Sequence, residues 1–154
     1  IASCLVGSEM CIRDRSKDIA EAITRGISGV DKNLILVAVA GSYLFNSGIE
    51  SGLKVASEAY ADRSYEDDGN MTSRKFDHAM IRNEQQAVKQ VRSIVLDGII
   101  IANSGKKIPV SVDTICIHGD EPTGPAIASA VKEMLEKEGV ILKPLPEMQL
   151  RQQK

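Results

Sequence analysis

"NLILVAVAGS", residues 33–42, decides the fold class. Leu34 to Ala40 is an unbroken apolar run with no alternation, the pattern of a parallel strand buried on both faces. Gly41 and Ser42 then turn the chain. Ser42 is a side chain that caps helices, and a helix is expected from Tyr43 to about Glu50, stopped by Gly52. A buried strand passing directly into a helix is the repeating unit of an α/β sheet.

The flanks extend the pattern. "SKDIAEAITRGI", residues 16–27, places Ile19, Ala22, Ile23 and Ile27 on one helical face. "LKVASEAYADR" supplies a second strand, Leu53 to about Ala59, running into a loop that extends to Ile81. Long irregular loops in compact domains tend to be binding or active-site segments, and Asp68-Gly69 marks a tight turn inside this one. Asn83 opens a helix to about Asp97 whose apolar face is Val88, Val91, Ile94 and Val95. "IIIANSGKKIPV" reads as a strand pair turning at Asn103-Ser104-Gly105, and "SVDTICIHGD" as another buried strand. A helix from about Thr123 to Lys137 and a short strand, Val140 to Leu142, complete the order α-β-α-β-loop-α-β-β-β-α-β. Such alternation points to an α/β sheet or barrel built by right-handed crossovers.

The start reads differently. "SCLVGSEMCIRDR", residues 3–15, lacks the uninterrupted apolar core of a secretory signal, because Ser8 and Glu9 break it. Cys4 and Cys11 are too far apart for a zinc knuckle. Leu5 to Asp14 is instead the translation of a sequencing-library transposon adapter, with Arg15 completing its split codon, so residues 1–15 are read as a reagent scar. Codon-level identity to the adapter is the check. Residues 16–145 are then the C-terminal part of one truncated α/β barrel domain, and 146–154 a frayed tail.

Composition narrows the function classes. Glu9, Asp14, Arg13 and Arg15 cancel, so the net charge of −2 belongs to the rest of the chain. Near-neutral charge and 3% aromatic residues give no support for nucleic-acid binding. No apolar run approaches the roughly 20 residues of a membrane span. Beyond the scar Cys116 is the one cysteine, which fits a reduced, cytoplasmic compartment and a thiol inside its strand.

Three constellations could carry chemistry. "TICIHGD" ends a strand in His118-Gly119-Asp120, where α/β folds place their active sites. His118 supplies an acid or base near neutral pH, Gly119 admits a ligand close to the backbone, and Asp120 orients the histidine or binds a metal. The alternative is a plain turn, and the tripeptide alone leaves both open. Asp62 and Arg63 follow the second strand, and Arg63 with Arg74 could clamp a carboxylate, or Asp62 and Arg63 could simply hold the loop. His78 reads as structural, Glu66 to Asp68 as a solvated turn, and "AVAGS" lacks the spacing and the lysine of a phosphate loop.

"LILVAVAGS", "ADRSYEDDGNMTSR", the helix near Asn83 and "VDTICIHGD" together resemble the LamB/YcsF family, known as the 5-oxoprolinase A subunits, over residues 16 to about 145. The resemblance implies a distorted (β/α) barrel similar to the sugar-deacetylase barrels. It further implies ring opening of 5-oxo-L-proline to L-glutamate, coupled to ATP handled by partner subunits B and C. The site would use His118, Asp120 and Asp62 as catalytic residues and Arg63, Arg74 and Gly119 toward the substrate. The family's acidic first strand and its H-x-G-D, G-A-H-P and K-P-H-G segments are absent, which implies an inactive chain with uncovered sheet edges. Two other classes remain: a metal-dependent amide or sugar deacetylase-like hydrolase, and a non-catalytic carboxylate-binding subunit. Metal use stays open.

Overall fold

The computed structural model describes residues 14–152. Most of the stretch read as adapter, residues 1–13, lies outside them; of the remainder, Asp14 is buried. The α/β class is observed. The elements are α1 (Lys17–Val30), β1 (Ile35–Val39), α2 (Tyr43–Glu50), β2 (Lys54–Tyr60), α3 (Glu84–Val95), β3 (Ile99–Ile101), β4 (Lys107–Pro109), β5 (Thr114–Cys116) and α4 (Gly124–Lys137). Single 3-10 turns stand at Asp77–Ala79 and Leu145–Glu147. A three-stranded sheet has the order β1-β2-β5, with β1 parallel to β2 and Ile35 opposite Lys54. β3 and β4 form a separate antiparallel pair. The chain divides into two compact units, one up to Glu58 together with the residues from Pro144 on, the other Ala59–Lys143.

The first unit packs α1 and α2 on the strands around Ala20, Leu36, Ala38, Leu44, Leu53 and Val55. Gly48 is what lets α2 come so close. A Cβ there would lie 2.6 Å from Leu36 Cδ2 and 2.8 Å from Val55 Cγ2, well inside van der Waals contact. Ser42 caps α2 as expected, its hydroxyl accepting from the Phe45 N–H at 3.1 Å. Two expectations are corrected here. β1 is only partly buried on one of its faces, with Ile35 and Val37 in part exposed and Val39 buried, and α1 buries Ala20 and Thr24, with Ile23 and Ile27 packed on the core as expected but Ile19 exposed. Thr24 is satisfied there by Ser47, Oγ to Oγ, at 2.8 Å.

The second unit packs α3 against α4 around Ala61, Ala87, Val91, Ile127, Val131 and Leu135. Asn83 caps α3 through the Gln86 N–H, as its position in the sequence suggests. β5 is half-buried rather than buried, Cys116 with it. Val140–Leu142 forms no strand: Gly139 at φ +79° turns the chain out of α4, and Ile141 is 78% exposed. The expected frayed tail is corrected as well, since Arg151 accepts the Val55 N–H at 2.9 Å in an antiparallel bridge.

The long loop has an internal order that periodicity does not reveal. Isolated bridges join Arg63 to Met80 and Tyr65 to Met71, and Gly69 at φ +83° closes the turn of Glu66 to Asn70. The β3–β4 turn locks onto it: Asn103 Nδ2 donates to Thr72 Oγ1 at 2.8 Å, and Lys106 Nζ to the Asp67 carbonyl at 2.8 Å.

Candidate functional site

Asp62 stands just beyond the end of β2, and His118 just beyond the end of β5. The Ala61 N–H donates to the Cys116 carbonyl at 3.0 Å, so the two strand ends are still paired where the site begins. One step further the ladder changes partner. The His118 N–H donates to Asp62 Oδ2 at 2.8 Å, and the His118 ring nitrogen Nδ1 lies 2.9 Å and 3.0 Å from the two carboxylate oxygens. An ionised carboxylate only accepts, so Nδ1 carries the proton and, in the neutral ring, Nε2 carries the lone pair. The side chains are 10% and 3% exposed for His118 and Asp62 respectively, so water screens their contact little.

Burial alone pushes the Asp62 carboxyl upward. The hydrogen bonds from the His118 ring and backbone N–H, together with the attraction of the ring, outweigh it and hold the group below the usual carboxylate range. Asp62 is thus kept as an anion beside His118, the arrangement that orients a proton-transferring imidazole. Tyr60 flanks it, with ring centroids 5.5 Å apart and planes at 21°. Tyr65 supports Tyr60 in turn, its hydroxyl accepting the Tyr60 N–H at 2.7 Å.

The remaining expected residues fall differently. Asp120 does not orient His118; its side chain is 60% exposed and pairs with Arg74, Nη1 to Oδ2 at 3.5 Å. Arg74 is therefore held at the HGD turn, partly open to solvent. Arg63 is not at a mouth. It is 5% exposed, its Nη2 donating to the Thr72 carbonyl at 2.6 Å and its Nε to the Ala79 carbonyl at 3.3 Å. Buried amid carbonyl acceptors, it fastens the long loop and has no face for a substrate carboxylate. Gly119 is exposed, with open space where a Cβ would stand, so nothing inside the chain demands a glycine there. Glu121, next in line, takes Arg82 through both oxygens at 3.0 Å and 3.2 Å.

Two contributors escape a sequence reading. Tyr60 looks like one more apolar strand residue. Gly124 begins α4, and a Cβ there would lie 2.5 Å from the His118 carbonyl oxygen, so a glycine is what allows the helix to start against the histidine's backbone. Its only sequence signal is the Gly-Pro step at the helix start. Among the described residues no group of three His, Cys, Asp or Glu side chains is placed to hold a metal ion, and no helix is long and apolar enough to cross a membrane.

The comparisons with known proteins agree with one another. A family model described as the LamB/YcsF family matches residues 8–150, a range that takes in the end of the stretch read as adapter. The chain is 40% identical over 134 residues to a Bordetella bronchiseptica protein named as a 5-oxoprolinase A subunit, covering 87% of this chain and 53% of that one. It is 41% identical over 133 residues to the 5-oxoprolinase A subunit of Pyrococcus horikoshii, covering 86% and 52%. The crystal structure of the lactam utilization protein from Thermus thermophilus superposes with a TM-score of 0.77 at 30% identity, over 87% of this chain and 53% of that one. The chain thus spans about half the length of the relatives it matches.

Proposed function

Because this chain belongs to the LamB/YcsF family, we propose that it is the C-terminal half of the A subunit of a 5-oxoprolinase. The complete enzyme would open the ring of 5-oxo-L-proline to L-glutamate with ATP hydrolysis, in the cytoplasm, together with subunits B and C. The relatives' names, 5-oxoprolinase and lactam utilization protein, support the substrate class. The observation that carries the site is the Asp62–His118 pair at 2.9 Å.

In this reading Asp62 fixes the ring so that Nε2 is the working nitrogen. Nε2 takes a proton from the water that attacks the lactam carbonyl carbon, and returns it to the ring nitrogen as the carbon–nitrogen bond breaks. A five-membered lactam resists hydrolysis; phosphorylation of its amide oxygen by ATP on the partner subunits would activate the carbonyl. Arg74, held beside the HGD turn by Asp120, offers N–H groups to the substrate carboxylate, and the open side of Gly119 admits the substrate to the backbone. The test is ATP-dependent glutamate formation by the complete subunit with its partners. His118→Ala should lower kcat by about 10²–10⁴-fold, the usual worth of acid–base help. A near-normal rate would return His118 to a structural role.

The same pair supports a second reading. A histidine whose Nδ1–H is held by a carboxylate is also the form in which Nε2 ligates a metal, as a deacetylase-like hydrolase would require. Activity lost to a chelator, regained with a divalent metal and indifferent to ATP would favour that reading.

A further inference from the structure

We propose that Gln90 is a positioning residue for the Asp62–His118 pair, its side-chain amide fixing the backbone on both sides of Asp62. Gln90 lies on α3 beside the buried Val91, on the flank of the face that packs in the core. Its Nε2 donates to the Tyr60 carbonyl at 2.8 Å, the Ala61 carbonyl at 3.2 Å and the Arg63 carbonyl at 2.8 Å. The fourth carbonyl of that stretch, on Asp62 itself, accepts the Ile81 N–H at 2.9 Å. Every carbonyl from residue 60 to 63 is therefore engaged, three of them by one nitrogen.

That convergence has a chemical requirement. Three carbonyl oxygens facing one point make it strongly negative, and only a donor is stable there; an amide NH₂ has two protons to share among them. Leaving such buried acceptors without a donor is unfavourable, so the turn would rearrange to find other partners. Asp62 is in the middle of the turn. Its carboxylate reaches His118 only while the backbone on either side keeps this path, so the loss of Gln90 would be felt at the ring nitrogen of His118. The inference rests on the reading of Asp62–His118 as the reactive pair, but its test uses no activity and can fail or succeed separately from it.

The test is nuclear magnetic resonance on the full chain with ¹⁵N-labelled histidine and glutamine. The chain has two histidines, and His78 is exposed, so it serves as an internal reference. The His118 Nδ1–H, held by a carboxylate, should give a downfield, slowly exchanging imidazole proton. Gln90→Met keeps the volume and removes the donors; it should abolish or shift that resonance and leave His78 unchanged. Gln90→Lys, which restores N–H donors, should bring it back. An unchanged His118 resonance in folded Gln90→Met would overturn the proposal. Should that variant not fold, the unsubstituted chain decides: the Gln90 amide protons must be protected from exchange alongside His118 Nδ1–H, and rapid exchange of the amide beside a protected ring proton would overturn it too.

Discussion

Replacing Asp62 by Asn separates the charge of the pair from its shape. Asp62 accepts two donors, the His118 backbone N–H at 2.8 Å and Nδ1–H at 2.9 Å. Asparagine has one acceptor oxygen and an NH₂. If the oxygen stays with the backbone N–H, the NH₂ faces Nδ1, which must then become an acceptor and send its proton to Nε2. The tautomer reverses. Hydrogen bonds to a charged group contribute about 1.5–3 kcal/mol each and neutral ones about 0.5–1.5, so the exchange should cost about 1–3 kcal/mol. For a chain of this size that is roughly 3–10 °C in Tm at neutral pH. The difference has a defined pH dependence. The folded-state pKa of Asp62 is lowered, so its contribution is full above the unfolded carboxyl value of about 3.9 and fades as the pH falls through the lower folded value. Melting curves of the two proteins, apart at neutral pH, should converge in acid. A gap that stays constant down to roughly pH 2, or a variant as stable as the parent at neutral pH, would refute the assignment of an ionised Asp62.

Gly124→Ala should push the start of α4 off the His118 carbonyl, at about 1–3 kcal/mol for overpacking, read as a lower Tm and a moved His118 Nδ1–H resonance. The two arginines should part company. Arg63→Met, which strips buried donors from the Thr72 and Ala79 carbonyls, should destabilise the chain by roughly 2–4 kcal/mol in denaturant titrations. Arg74→Gln, which breaks a partly exposed pair, should change stability by less than about 1 kcal/mol and raise KM for substrate in the complete enzyme.

What could be read from the sequence was local. The strand in the apolar run at 34–40, the caps Ser42 and Asn83, and the turn at Gly105 each have a cause within a few residues, and the structure places them as expected, although the strand is not buried on both faces throughout. The site was half legible. His118 and Asp62 stood out because ionisable residues at strand ends do, but Asp120 looked like the partner of His118 because it is two residues away, whereas the partner is 56 residues away across the ladder. Arg63 stood open between a substrate clamp and a tie for the loop, and only the folded loop, with carbonyls turned inward to receive it, decides for the tie. Val140–Leu142 failed differently: its residues favour a strand, but a strand needs a ladder partner, and none stands beside it among the described residues.

The fastening of the long loop bears on how fast a ligand can be taken up. Arg63 holds it from inside, and Asn103 and Lys106 hold it from the β3–β4 turn. A loop with that many anchors gives up its conformational freedom when the chain folds, so a small molecule binding at the proposed site would not have to order it. Association should then follow a single, concentration-linear phase, without the slow step that a swinging cover would impose.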